Sequence, residues 1–217
     1  MDLFLAAQEG DVDVVRSLFQ ADPKSLYAKN ANGLSAYMVA IYWGHPDVAS
    51  AMLELGYSPN FFESVASGNL LRAQELLDEN PALLTAYAPD GFTALQIASY
   101  FGHAELAKHL IFMGADVHAV SKNDMKIMPL HAAAANGSSD TCDALLQAGA
   151  QVDAQQEGGF TPLHAAAQSG NEPLIRLLQK YSADAGITTY DGKTPLELAL
   201  DNNHVGAADL LRRRLEI

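Results

Sequence analysis

The residues of this chain that could do chemistry are few: seven histidines, one cysteine, and 26 carboxylates set against 13 cations. Two imidazoles one helical turn apart, with a glutamate between them, would hold zinc and supply a general base. His45, His103, His109, His118 and His204 form neither that H-E-x-x-H spacing nor any C-x-x-C pair. Cys142 stands at helical spacing beside Leu145 and Leu146 with no mark of a catalytic cysteine nearby, so it reads as a small core residue. Asp11 and Asp13 could act as acid and base, yet they stand at a helix start, where carboxylates favour the positive end of the helix dipole. The segment Gly186–Thr194 comes nearest to a phosphate loop, but it has five residues between its glycines where G-x-x-x-x-G-K-[ST] needs four. These patterns point to no catalytic set, no metal and no cofactor. His131 and His164 remain, and their reading depends on the elements that carry them.

Those elements repeat. T-A-L-Q-I-A at 93–98, M-P-L-H-A-A at 128–133, T-P-L-H-A-A at 161–166 and T-P-L-E-L-A at 194–199 recur every 33 to 35 residues, with a weaker copy, S-A-Y-M-V-A, from Ser35. A ladder runs beside the phrase: Gly10, Gly44, Gly68, Gly102, Gly137, Gly170 and then Asn203. Glycine and asparagine tolerate positive φ, so each rung predicts the end of one short helix and the turn into a second. Threonine at the head of the phrase is placed to cap the first helix, and proline suits its first position because the missing N–H would have no intrahelical partner there. The second helices carry apolar residues at helical spacing and are expected to turn them inward: Val12, Val15, Leu18 and Phe19; Val48, Met52 and Leu53; Leu71, Ala73, Leu76 and Leu77; Leu106, Leu110 and Ile111. Leu145 and Leu146, then Leu174, Leu177 and Leu178, continue the stripe.

One step of the ladder is short. Gly44 to Gly68 is 24 residues, so roughly ten are missing against a 33-residue period, and the junction near residue 60 should keep its helices and lose the turn between them. A shift of 58 residues superposes Gly10 on Gly68, Pro23 on Pro81, Gly33 on Gly91 and Gly44 on Gly102, the mark of a duplicated two-repeat unit.

T-P-L-H-A-A-A at 161–167, G-A-D-V-H-A at 114–119, G-A-Q-V-D-A at 149–154 and D-G-K-T-P-L at 191–196 resemble ankyrin repeats. The resemblance implies an all-α repeat solenoid of about seven helical hairpins joined by short β-turn or hairpin loops. The expected organisation is a single domain over 1–217, with capping repeats at 1–30 and 194–217 around repeats 31–60, 61–90, 91–127, 128–160 and 161–193. Arg212, Arg213 and Arg214 suit the exposed face of the last cap. The resemblance also implies that His131 and His164 brace turns by hydrogen bonds, and that the protein binds another protein on its concave face and turns without catalysing a reaction. An enzymatic or small-molecule-binding role on the same scaffold, and a role as the ankyrin part of a larger assembly, stay open as alternatives.

Candidate contact residues follow from that placement. Tyr42 with Trp43, and Tyr100 with Phe101, precede a Gly-His pair and are related by the 58-residue shift; they serve either as partner anchors or as packing between helices. Asn32, Asp90 and Phe92 lie in projecting turns, and the longer turn near 121–128 carries Lys122, Met125 and Lys126 in an otherwise acidic chain. The net charge of −13 is spread along the sequence, which favours a basic protein partner and disfavours nucleic acid and anionic lipid. No apolar stretch is long enough to span a bilayer, the start of the chain lacks a secretory leader pattern, and the single cysteine suits a reducing compartment. The expectation is a monomeric cytoplasmic protein.

Overall fold

The structure, a computed structural model, describes residues 2–215, and the side chains only as far as residue 212. Arg213 and Arg214 of the arginine run therefore lie outside the described side chains, while Arg212 is exposed and pairs with Asp209 at 3.3 Å. Among the described residues there are fourteen α-helices and no strand, with one isolated bridge between Lys29 and Ser35. The helices form seven hairpins: α1 (Leu3–Glu9) with α2 (Val12–Ala21), α3 (Ala36–Tyr42) with α4 (Pro46–Glu54), α5 (Phe61–Ala66) with α6 (Leu70–Glu79), and α7 (Ala94–Tyr100) with α8 (Ala104–Phe112). There follow α9 (Pro129–Asn136) with α10 (Ser139–Gln147), α11 (Pro162–Gln168) with α12 (Glu172–Lys180), and α13 (Pro195–Asp201) with α14 (Val205–Leu215). The all-α repeat class expected from the phrase is the class observed.

Each hairpin is closed by the rung of the ladder. Gly10, Gly44, Gly68, Gly102, Gly137, Gly170 and Asn203 all have φ between 61° and 80°, the left-handed region in which a Cβ is strained. The N–H one residue beyond the rung then reaches back to a carbonyl in the first helix, as in Asp11 to Ala6 (2.9 Å), His45 to Ala40 (2.8 Å) and His204 to Ala199 (2.8 Å), which satisfies an acceptor the helix end leaves open. First helices start on side-chain caps: Thr93, Thr161 and Thr194 accept the N–H of the third helical residue. Asp11 does the same for Val14 at 3.0 Å, which gives that carboxylate its structural role.

The chain divides into two compact units, 1–83 with 87–90 and 84–86 with 91–217. In the first, α1 packs on α3, α3 on α5 and α2 on α4, around a core that includes Val15, Leu26, Tyr37, Val48 and Met52. In the second, α7, α9, α11 and α13 pack in sequence as inner helices and α8, α10, α12 and α14 as outer ones, around Leu95, Leu130, Leu145, Leu163 and Leu178. Burial of each such leucine stabilises the stack by about 2 kcal/mol. Cys142 belongs to this core, and burial pushes its thiol up to about 12.

Two members of the expected stripe do not turn inward: Leu71 is 70% exposed and Leu53 42%. Leu71 is the second residue of α6 and lies two residues, more than half a turn, from buried Ala73; Leu53 follows buried Met52 by about 100° around α4.

At the short junction only residues 55–60 separate α4 from α5. Here Asn60 caps α5 and Glu63 completes a capping box, its carboxylate accepting the Asn60 N–H at 2.8 Å. The same carboxylate, 3% exposed, also accepts the hydroxyls of Tyr57 (2.9 Å) and Ser35, and Lys29 approaches it at 3.4 Å. Burial, then the negative charge of Glu63, hold the Tyr57 phenol above its ordinary pKa. The duplication read from the sequence is exact in the helices that follow the first: α2 and α6, the 3₁₀ turns Pro23–Tyr27 and Pro81–Thr85, α3 and α7, and α4 and α8 all recur after 58 residues.

Candidate interaction surface

Two of the residues that could do chemistry are fixed in structural roles. The Nδ1 of His131 accepts the Met128 N–H at 3.1 Å, so its proton sits on Nε2, which donates to the Ala154 carbonyl at 2.8 Å. His164 repeats the arrangement, with Nδ1 on the Thr161 N–H (3.1 Å) and Nε2 on the Lys193 carbonyl (3.1 Å). Protonating Nδ1 would set N–H against N–H, and burial disfavours the charge as well; both imidazoles are held below the ordinary histidine pKa, burial being the larger cause. Gln96 takes the same place in its own repeat, accepting the Thr93 N–H and donating to the carbonyls of Ala119 (2.9 Å) and Ile127 (2.7 Å). Each brace ties an inner helix to the turn of the next repeat.

The glycine-rich segment that resembled a phosphate loop is closed on itself. Thr189 donates its hydroxyl to Asp191 and accepts the Lys193 N–H at 3.1 Å, while the Lys193 ammonium pairs with Asp201 at 3.0 Å. Among the described residues no group of three His, Cys, Asp or Glu side chains could hold a metal ion, and no helix is long and apolar enough to cross a membrane.

The candidate contact residues fall into three places. In the first unit, Asn32, Tyr42 and Trp43 line one groove of about 470 Å³, together with Asp2, Phe4 and Leu5. Trp43 is 59% exposed at the C-terminal end of α3. Tyr42 is half-buried and donates its hydroxyl to the Asp90 carboxylate at 2.5 Å, so that this turn residue acts as a strut on the end of α3. In the second unit, Tyr100 ends α7 at 46% exposure, its ring edge-on to half-buried Phe101 at 5.1 Å, and Phe101 in turn stacks with His103 at 6.1 Å. Phe92 is half-buried beside the cap of α7.

The turn at 121–126 presents Lys122, Met125 and Lys126 to solvent. Asn123 Oδ1 accepts the Ser121 hydroxyl (2.8 Å) and the Met125 N–H (3.2 Å), and the Lys122 N–H donates to the Gly91 carbonyl at 2.8 Å. Gly91 is required there, because at φ 84° an added Cβ would meet the Asn123 nitrogen at 2.9 Å. Lys126 itself has φ 49°, a strained conformation for a residue with a side chain.

One groove escaped the sequence. Ala135 and Ala165, on α9 and α11, line a space of about 520 Å³ together with Gln156, Glu157, Phe160 and Gln168. The signal for it was the run of alanines in H-A-A-A, since small side chains on facing helices leave room between them.

Residues 130–217 match the family described as Ankyrin repeats (3 copies), and residues 90–122 match Ankyrin repeat. The chain is similar to the target of rapamycin complex 2 subunit AVO2 of Saccharomyces cerevisiae, 36% identical over 86 residues, which are 39% of this chain and 20% of that protein. It is similar to human protein phosphatase 1 regulatory subunit 27, 29% identical over 99 residues, 46% of this chain and 63% of the relative. A fowlpox virus ankyrin repeat protein is 28% identical over 170 residues, 73% of this chain and 38% of its own length. The chain thus spans less than two thirds of each of these relatives.

Proposed function

This chain belongs to the ankyrin repeat family, and on that premise we propose that it works without a catalytic step, as a preformed surface that holds a protein partner against its inner helices and inter-repeat turns. Two relatives bear the names of a phosphatase regulatory subunit and of a subunit of a target of rapamycin complex, which supports an interaction module. The observation that carries the reading is Trp43, an indole left 59% exposed in a groove with Phe4, Leu5 and Tyr42. Tryptophan in such a place releases water from a large rigid surface on binding and loses little side-chain entropy, which is why it anchors interfaces. Asp2 beside it and the net charge of −13 favour a basic partner.

An affinity capture from the source cells tests this, with the parent protein beside Trp43→Ala and a separate Lys122→Ala, Met125→Ala variant. A partner retained by the parent and lost with Trp43→Ala supports the α3 groove. Loss with the turn variant alone transfers the contact to 121–126, and capture of no protein by any of the three overturns the interaction reading.

A further inference from the structure

The second helices of four hairpins, α4, α8, α10 and α12, are each nine residues long, and they end on Glu54, Phe112, Gln147 and Lys180. Three of these residues are polar, as a solvated last turn requires. Glu54 is ion-paired to Arg16 and is also the residue that matches Phe112 under the 58-residue shift. Phe112 is 85% exposed, the largest exposure of any large hydrophobic residue described, so most of its ring lies in water. It stands at the edge of a groove of about 520 Å³ between α8 and α10, whose floor includes half-buried Ile111 and Ala144.

The walls of that groove are acidic. Asp140 and Asp143 line it, and its one cation, Lys108, is already paired with Glu105 at 2.7 Å. Asp143 takes its hydrogen bonds from neutral donors, the Tyr181 hydroxyl at 2.8 Å and the Gln147 amide at 2.6 Å, and Lys108 is the one cation set against Glu105, Asp140 and Asp143, so the groove keeps a net negative charge. An exposed phenyl ring beside carboxylates that outnumber their one cation fits an apolar side chain flanked by cations. A second copy of this chain fits badly, since two surfaces of a −13 protein repel, and an anionic lipid surface is repelled in the same way.

We infer that the outer-helix groove of α8 and α10 is a second docking surface, separate from the inner-helix site proposed above, and that it takes a segment of a partner protein carrying an apolar residue flanked by lysine or arginine. Phe112 is the apolar anchor, and Asp140 and Asp143 select the cations.

A random peptide library displayed on phage and selected on the full chain, with Phe112→Gln as counter-selection, tests this directly. Gln147 shows that glutamine is accommodated at this helix position, so the variant should keep its circular dichroism and melting temperature. Enriched peptides are expected to combine an apolar residue with flanking Lys or Arg, to shift amide resonances of Ile111, Ala144 and Gln147, and to lose about tenfold or more in affinity with Phe112→Gln. Asp140→Asn, Asp143→Asn should flatten the salt dependence of binding. Trp43→Ala should leave these peptides bound, which separates this result from failure of the α3 site. Enriched peptides without cations, equal binding by Phe112→Gln, shifts confined to inner helices, or self-association abolished by Phe112→Gln would each overturn the inference.

Discussion

The hairpins that begin with α1 and α5 stand 58 residues apart in a duplicated pattern, yet the third residue of the first helix meets opposite surroundings. In α1 it is Leu5, 40% exposed; in α5 it is Glu63, 3% exposed and holding Tyr57, Ser35 and the Asn60 N–H. Both helices are capped in the same way, Asp2 accepting from Leu5 N and Asn60 from Glu63 N. The difference lies in what packs ahead. No described hairpin precedes α1, whereas α5 packs on α3 and meets the hydroxyls and the ammonium that α3 and its flanking segments bring. Backbone geometry is thus set by the repeat itself, and the side chain at the third position answers to its neighbour.

Exchanging the two residues gives the largest effect expected. Glu63→Leu strips buried donors of their acceptor and should lower unfolding stability by about 3 kcal/mol in urea titration, whereas Leu5→Glu should change it by less than about 0.5 kcal/mol. Equal losses would abolish the distinction between the two hairpins. The braces of the second unit extend it: His131→Ala should cost about 2 kcal/mol, while His131→Gln, which copies Gln96, should lose less than half of that in the same titration. A larger loss for glutamine than for alanine would show that the third position is not interchangeable between repeats.

A smaller effect follows from the lowered histidine pKa values. The unfolded chain takes up protons on His131 and His164 as pH falls through 6.5, and the fold resists them until lower pH. Their contribution is therefore complete above 6.5 and is lost as pH falls from there through the folded values. Urea midpoints measured across that range should fall with pH, and fall less steeply in His131→Gln; an unchanged slope would mean that another group titrates. The smallest effect belongs to Trp43→Ala, a change of less than about 0.5 kcal/mol, because the indole it removes is mostly in water. A drop of several kcal/mol would turn Trp43 from a contact residue into a packing one.

The hairpins were legible because their signals are local and recur: the glycine rung, the Thr-Pro start and the short step near residue 60 each act within a few residues. The braces were legible through the ankyrin resemblance, which gave histidine a role that composition alone does not. The surfaces were less so. Tyr42 meets Asp90 across 48 positions, and Lys29 meets Glu63 across 34, so periodicity along one helix cannot report either pair. The same limit explains Leu71 and Leu53: a leucine fits a stripe on paper within about 100° of a core position, and only the neighbouring helix decides whether it is covered. Phe112 was readable as a departure once the second helices of four hairpins could be aligned by their ends.

Cys142, sealed in α10 with its thiol held near 12, has a kinetic use. As the only thiol in the chain, it can react with an alkylating reagent at neutral pH only during moments when its hairpin opens. The ratio of its labelling rate to that of a free thiol then counts those openings when closing is fast, and counts each opening event when closing is slow. An unmodified sample therefore carries a built-in clock for one hairpin of the second unit, able to register how a bound partner alters the breathing of that hairpin.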